Sequence, residues 1–514
     1  MSESRTFLRY ASPNEHRTIS REDVGFYNAV VVGAIYELAS QDVDVTSSQP
    51  FIAPLKACVL RYPFLGVVVR DKHTDKPAYE GVSNLNLEEH ISILTSESVE
   101  DETKAIEEAL PPILDRPWPT DIPPWRIVVL PLAPAKQSSG EVAATAVASR
   151  CFIAFSFSHT IGDGVVGLTF HRTFQAAWSQ SLRSLPAKDI SFSLSLPESR
   201  SLPKPFDTPD RLPISWKYLL APLAGAVLPG FLTNIFGLRA SASPIDQGTW
   251  TGAPIFHRHP TSAAECSRVR LIEIEAPLVA TALAESRAHG TKLTATLHQL
   301  IVRALGNALP NEAITNFVSG TAVDMRASIG APAGEWGLYV TGHYQVHPRP
   351  ALEDDEQARA KGNRRSALSE ETWSSAQDLT RNLAACGMRL QDQAIGLLRY
   401  APSIRGWTLG KIGGRRDTSY EVSNLLAFDG GAIMDQDGGE ARRCRVGKMV
   451  FVQPGNPLSA PLVFNVVSVK GGSLVIAVSW QAGALGLDKM EEEAPFVEGI
   501  CEGIRAGFES LRGD

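Results

Sequence analysis

The sequence predicts an α/β protein built from two similar halves, and three observations point there. Strand-like and helix-like segments alternate on both sides of the chain's middle. A proline-rich break from Arg183 to Pro213 separates the two sides. The 514 residues are also too many for one compact core. The expected organisation is an N-terminal domain over 1–182, a linker or lid over 183–265 and a C-terminal domain over 266–514.

Each element follows from its local pattern. Val24, Tyr27, Val31, Ala34 and Leu38 fall at helical spacing and predict a first helix. A second helix near Ile52 to Leu60 leads into a strand over Phe64 to Arg70. The acidic, alanine-rich stretch Ser98 to Leu114 reads as a surface helix. Ile127 to Leu132 and Val142 to Ser158 read as strands, the second closing on the apolar run Cys151 to Ser158. Val166, Phe170, Phe174 and Trp178 then recur every four residues, one face of a helix. Six prolines among Ser, Lys and Asp mark the extended linker. Ile214 to Leu238 carries Lys217 as its only charge and is long enough to span a bilayer. Pro222 and Pro229 break any single straight helix there, and Arg211 and Arg239 flank it evenly. It is expected as a buried pair of short helices, with an interfacial membrane contact as the second reading and a true span as the third. The second half opens on the alternating strand Val269 to Ile274, followed by two helices to Leu309. Strands at Ile314 to Val323 and Leu338 to Val346, a polar two-helix excursion over Asp354 to Tyr400, and a strand-rich last third follow. Leu487 to Leu511 reads as a closing helix.

The stretch with chemistry in it is Ser158-His159-Thr160-Ile161-Gly162-Asp163-Gly164. It places a histidine at the exit of a core strand, in a tight glycine-containing turn, with an aspartate four residues on. Histidine is the side chain best suited to take a proton from an alcohol near neutral pH, and the exit of a rigid strand orients it. Asp163 is expected to hold the turn, as a cap for the following helix or as half of an ion pair, rather than to relay a proton. The string alone recurs by chance, and an isolated match would be read as a satisfied core histidine; the flanking strand and helix argue otherwise.

HTIGDG resembles the H-x-x-x-D-G signature of the chloramphenicol acetyltransferase-like superfamily, which includes condensation domains and plant and fungal acyltransferases. Further stretches resemble the fungal alcohol O-acetyltransferase branch: SREDVGFYNAVVVGAIYEL, RYPFLGVVVR, PPWRIVVLPL, HGTKLTATLHQLIVRAL, GTAVDMRASIG, SYEVSNLLAFDG and VVSVKGGSLVIAVSWQAG, in that order. The chain departs from condensation domains in having Ser158 where they carry a second histidine, and it lacks the DFGWG box of plant members, with SNLLAFDGG nearest. The resemblance implies two mixed-sheet domains flanking a central substrate tunnel. It implies direct acyl transfer from a thioester with His159 as general base and no acyl-enzyme. It further implies that Asp163 pairs with Arg326 of VDMR, that Gly164 belongs to the structural turn, and that Ser423 and Asn424 are placed to hydrogen-bond the tetrahedral oxyanion.

Composition bounds the remainder. A net charge of −7 without a basic run argues against nucleic acid as a partner. Gly410 to Arg416 (GKIGGRR) is a basic cluster within reach of a CoA phosphate role, though such runs are usually solvated loops. Six cysteines stand singly, without C-x-x-C pairs, which fits free thiols in a reducing compartment, and Cys151 reads as core. His257 and His259, with His343 and His347, could suggest metal binding, and the first two would share a face of a strand as a geometrically possible ligand pair, but no metal site is expected without a cysteine cluster or HExxH. His171 reads as packing. The absence of G-x-S-x-G, of a P-loop and of G-x-G-x-x-G argues against a serine hydrolase, nucleotide hydrolysis and dinucleotide redox chemistry. The first residues are polar and lack an apolar core, so a cytoplasmic protein, membrane-associated at most through 214–238, is expected.

The expected activity is therefore O-acetylation of a small, apolar alcohol by acetyl-CoA, a co-substrate rather than a bound cofactor, in a monomer. Three alternatives stay open: a condensation-type enzyme fed by a carrier-protein thioester, a catalytically silent ligand-binding relative, and a related histidine-driven ester exchange or amide formation.

Overall fold

The computed structural model describes residues 5–38, 43–95, 101–133, 149–182, 191–197, 200–220, 243–256, 267–350, 368–430, 444–456 and 458–512. In chain order the first half runs β1 (Arg5–Tyr10), α1 (Pro13–Asp23), β2 (Val30–Leu38), α2 (Gln49–Arg61), β3 (Val67–Arg70), β4 (Ala78–Val82), β5 (Asn84–Asn86), β6 (Ile91–Ile93), α3 (Glu102–Asp115), β7 (Trp125–Leu132), β8 (Ser149–Phe157), α4 (Gly164–Ser181) and β9 (Ser193–Ser195). The second half runs β10 (Ser267–Ile274), α5 (Ala276–Ala288), α6 (Leu293–Ala308), β11 (Asn316–Asp324), β12 (Val340–Pro348), α7 (Glu370–Met388), α8 (Ile404–Leu409), β13 (Tyr420–Phe428), β14 (Cys444–Val452), β15 (Leu462–Val469), β16 (Leu474–Gln481) and α9 (Glu493–Ser510).

Two mixed sheets organise the chain. One has the order β14-β2-β8-β7-β6 and the other β10-β16-β15-β13-β11-β12. In the first, β6 runs parallel to β7 and the other pairs are antiparallel. In the second, β13 runs parallel to both β11 and β15. Strand β14 lies late in the chain but pairs with β2 over Cys444–Val452, so the C-terminal half lends a strand to the N-terminal sheet.

Burial on both faces explains the composition of the central strands. In β8, Cys151, Ile153, Phe155 and Phe157 enter the core beneath α2 and α4. Phe152 and Ala154 point the other way, into a core shared with Val450 and Val452 of β14 and with Val269, Val475 and Ala477 of the second sheet. That shared core joins the two sheets. Val166, Phe170, Phe174 and Trp178 are all fully buried, as the four-residue spacing predicts, and Phe170 stacks on Phe155 with ring centroids 3.8 Å apart. At Gly167 a Cβ would sit 2.2 Å from Val32 Cγ2, so α4 lies directly on β2 at this glycine.

The halves repeat a device that the sequence does not show as a repeat. In the first, His171 of α4 accepts from the Tyr36 hydroxyl of β2 at 2.8 Å and donates through Nε2 to the Val32 carbonyl at 2.8 Å. In the second, His298 of α6 meets the Tyr420 hydroxyl of β13 at 3.0 Å and Thr321 Oγ1 of β11 at 3.2 Å. Each half thus ties its covering helix to its sheet through a buried His–Tyr pair.

Several expectations are corrected. Val31, Ala34 and Leu38 lie in strand β2, not in a helix, and every residue of that strand is buried. A run buried on both faces shows no period-2 alternation, so helical spacing within it was fortuitous. The actual first helix is α1, eleven residues earlier, opened by a capping box in which Ser12 and Glu15 bond each other's backbone and Pro13 takes the first turn. Gly410 to Arg416 is not a free basic loop. Arg416 is fully buried on the Ala253 and Asn456 carbonyls, Arg415 binds the Asp246 and Thr249 carbonyls, and Lys411 pairs with Asp417. His343 and His347 lie on β12, with His347 Nε2 bonded to Ser319 Oγ at 2.9 Å. The stretches 142–148 and 354–367, residues 221–238 of the apolar segment, Cys266, His257 and His259 lie outside the described residues. Among the described residues no helix is long and apolar enough to cross a membrane, and no cluster of metal-binding side chains occurs.

Candidate active site

The turn after β8 is held from every side. Ser158 N donates to the Pro124 carbonyl at 2.8 Å, and Ser158 Oγ accepts from Thr160 N at 3.0 Å and donates to the Glu22 carboxylate of α1. Glu22 in turn binds Lys72. The Thr160 carbonyl accepts from Tyr79 Oη at 2.6 Å and the Ile161 carbonyl from Trp336 Nε1 at 2.8 Å. At Gly162 a Cβ would lie 2.5 Å from Val166 Cγ2, and at Gly164 it would lie 2.8 Å from Leu425 Cδ2 and 3.2 Å from Phe451 Cζ. The glycines are required by close approach: the first by the helix that follows, the second by β13 and β14.

His159 is the one residue between Cys151 and Asp163 that is not fully buried. Its Nδ1–H donates to the Gly162 carbonyl at 2.8 Å, which fixes the tautomer and leaves Nε2 as an acceptor with a lone pair. The Tyr27 ring lies beside it, centroids 5.4 Å apart. Burial, followed by the positive charge of Arg17, pushes the imidazole down to about 4. The ring is therefore neutral at physiological pH.

Asp163 does not touch His159. Its Oδ1 accepts from Val165 N at 3.1 Å, capping α4, and from Arg326 Nη2 at 2.9 Å, while Oδ2 accepts from Tyr339 N at 2.9 Å. Both members of the ion pair are 1% exposed. Arg326 also donates to the Glu335 carbonyl and to Asp324 Oδ1, each at 2.9 Å, and lies over the Tyr339 ring. Burial alone would lower the guanidinium, but the Asp163 and Asp324 carboxylates outweigh it and the net shift is upward. Asp163 and Arg326 come from opposite halves of the chain, so their pair locks the turn to the second domain.

Ser423 and Asn424 are consecutive residues of β13 and so point to opposite faces, and a bulge follows them between Asn424 and Ala427. Asn424 Nδ2 donates to Thr294 Oγ1 at 3.0 Å and its Oδ1 accepts from Leu426 N at 2.8 Å, where Leu426 takes a positive φ of 63°. Ser423 shares the opposite strand face with Glu421, whose carboxylate accepts two bonds from the Asn456 amide at 3.1 and 3.0 Å. Glu421 lies within electrostatic reach of Tyr27 and Arg17.

Sequence reasoning missed the contribution of α1. Glu22, Arg17 and Arg21 all reach the His159 neighbourhood from it, and the Ser12-Pro13-Asn14-Glu15 capping signature marks that helix in the sequence. Nothing in the sequence marks Trp336 or Tyr79 as clamps on the turn.

No family model matches the chain. It is 22% identical to the Aspergillus fumigatus protein named "Probable alcohol acetyltransferase crmB", over 95% of this chain and 96% of that one. Its fold is that of the trichothecene 15-O-acetyltransferase TRI3 from Fusarium sporotrichioides, with a TM-score of 0.63 and 12% identity over 98% of each chain. It also matches the starter condensation domain of rhizomide synthetase RzmA, solved with C8-CoA and Leu-SNAC, at a TM-score of 0.56 and 12% identity over 98% and 95% of the chains. The expected fold class, two mixed-sheet halves of the acetyltransferase and condensation-domain kind, is the one found, and the sequence likeness supports an acyltransferase.

Proposed function

We propose that the protein is an acyl-CoA-dependent O-acyltransferase that acetylates an alcohol by direct transfer, with His159 as general base. The carrying observation is the state of His159: neutral, fixed in the Nδ1–H tautomer, and the one residue from Cys151 to Asp163 that is not fully buried. Nε2 removes the hydroxyl proton as the alcohol oxygen attacks the thioester carbonyl. The tetrahedral intermediate collapses, the C–S bond breaks, and the departing CoA thiolate takes the proton back from the imidazolium. Ser423 is the candidate donor to the oxyanion, with Asn424 beside it engaged on Thr294 and Asp163, Gly164 and Arg326 fixing the turn. A tunnel between the domains, with donor and acceptor entering from opposite mouths, would bring both substrates to one base and keep water from the thioester. The proposed domains are 1–182 and 266–514 with 183–265 between them, β14 crossing into the first sheet, and the proposed location is the cytoplasm.

Purified protein with acetyl-CoA and a panel of aliphatic, terpenoid and aromatic alcohols should release free thiol in an acceptor-dependent way. His159→Ala should lower kcat by about 10²-fold or more with the fold intact, and activity within a few-fold of wild type would sink the mechanism. The fold shared with the rhizomide condensation domain supports a second reading, a carrier-protein thioester as donor. Release from an acyl-carrier donor and none from acetyl-CoA would select it.

A further inference from the structure

Helix α1 brings two arginines within electrostatic reach of His159, and among the described residues neither forms an ion pair with a carboxylate. Arg17 and Arg21 stand four residues apart, on one face of the helix. The helix has three acids of its own, and all are engaged elsewhere: Glu15 with Arg9, Glu22 with Lys72 and Ser158, Asp23 with Arg405. Arg17 makes two long bonds, from Nε and Nη2 to Asn14 Oδ1 at 3.3 and 3.2 Å. Arg21 Nε is buried and has no partner. Other buried arginines are committed, Arg326 to two aspartates and Arg416 to backbone carbonyls.

Glu421, an acid within electrostatic reach of Arg17, is held by the Asn456 amide and forms no ion pair with either arginine among the described residues. Burial and the like charge of Arg21 together lower Arg17 to about 9, and both arginines press His159 downward. Two like charges in a partly desolvated site, one with an orphaned N–H, are costly unless an anion completes them.

We propose that Arg17 and Arg21 form an anion subsite beside His159 that takes a carboxylate of the substrate pair, carried by the acceptor alcohol or by the acyl group. This rests on the acyltransferase reading and names its substrate class. The CoA phosphates are excluded as occupants because the pantetheine arm holds them far from the thioester that must reach His159. A guanidinium presents paired N–H donors to a carboxylate, and the partial burial of the subsite strengthens them.

The test compares kcat/KM for a hydroxy acid and its methyl ester with acetyl-CoA, and for malonyl-CoA and acetyl-CoA with a neutral alcohol. The expected result is a preference for the anionic member in one arm of about 10- to 100-fold, the size of a charge-assisted pair. The arm that shows it identifies the carrier. In Arg17→Gln and Arg21→Gln that ratio should collapse toward one, while Arg17→Lys keeps part of it. Equal rates for both members in both arms, or a ratio unchanged by the variants, overturns the proposal. Calorimetry with 4-hydroxybenzoate against 4-hydroxybenzyl alcohol, on wild type and Arg21→Gln, decides the matter without turnover. Selective binding of the acid that Arg21→Gln abolishes upholds the subsite even if no thiol is released from any pair, the result that would defeat the acyltransferase reading alone. Equal binding of both probes overturns the subsite.

Discussion

Asp163→Asn isolates the ion pair that joins the two halves. Asparagine keeps the volume and its amide oxygen can still cap α4 at Val165, but its Nδ2 donates where Oδ2 accepted from Tyr339 N, so the charge and one acceptor are lost. Arg326 then stays buried with Asp324 alone, a side chain 43% exposed and correspondingly screened. Breaking one side of a buried pair costs about 3–5 kcal/mol, and the surviving Asp324 contact argues for the lower end, about 3 kcal/mol. At roughly 2.1 cal/mol/K per residue, the entropy of unfolding 514 residues as one unit is about 1.1 kcal/mol/K, so Tm should fall by about 3 °C. Thermal and urea unfolding followed by circular dichroism measure it. A cycle with Arg326→Met and the double variant gives the coupling, expected at about 1–3 kcal/mol because both single variants remove the same contact. Additivity within about 0.5 kcal/mol would refute the argument. An Asp163→Asn protein as stable as wild type but inactive would instead place Asp163 in the chemistry.

The depressed pKa of His159 means that its basic form persists as pH falls, so the acid limb of kcat/KM should turn near 4 rather than 6.5, and a limb between 6 and 7 would contradict the neutral, partly desolvated ring. Burial lowers His90 and His171 to about 4 and His347 to about 3. Each protonates more readily unfolded than folded, so its stability is intact above pH 6.5 and is lost progressively as pH falls to the folded value, by about 3 kcal/mol for His90 and His171 and about 5 kcal/mol for His347. The urea midpoint should drop across that window, and a constant midpoint would contradict it. Trp216 and Leu220, 78% and 53% exposed where the apolar segment begins, should carry any contact with a bilayer. Flotation with neutral phospholipid vesicles should weaken in Trp216→Gln, and equal recovery of both proteins in the vesicle-free fraction removes the contact.

Legibility followed the physics of each segment. The turn at His159 could be read because its strand is apolar, its helix is strictly periodic and its glycines are forced by contact, so local pattern and tertiary structure agree. The pairing of Asp163 with Arg326 came from a resemblance and not from spacing, since the two lie 163 residues apart in the chain. Strand β2 was misread because a strand buried on both faces loses the alternation that identifies it, and the capping box at Ser12 was the stronger signal that went unused. The transfer of β14 into the first sheet leaves no mark in local sequence, because long-range pairing is chosen by which sheet edge is open.

That transfer bears on function. The His159 turn is clamped by Tyr79 and Glu22 from the first half and by Trp336, Gly337 and Arg326 from the second, and β14 packs Phe451 against Gly164. Neither half alone completes the turn, so the base is aligned only when both domains are folded and docked. A turn clamped from both sides of such a seam keeps its backbone rigid, which the proposed direct transfer between two bound molecules requires. The arginines of α1 fit the same logic. They belong to the helix that anchors Ser158, so a substrate anion seated on Arg17 and Arg21 would be fixed relative to Nε2 through a single short lever, Glu22 to Ser158 to His159. Loosening that lever with Ser158→Ala, which keeps both charges, should lower kcat more than it raises KM, whereas Arg21→Gln should do the reverse for an anionic substrate. Parallel effects in the two variants would mean that anchoring and anion binding are one function rather than two.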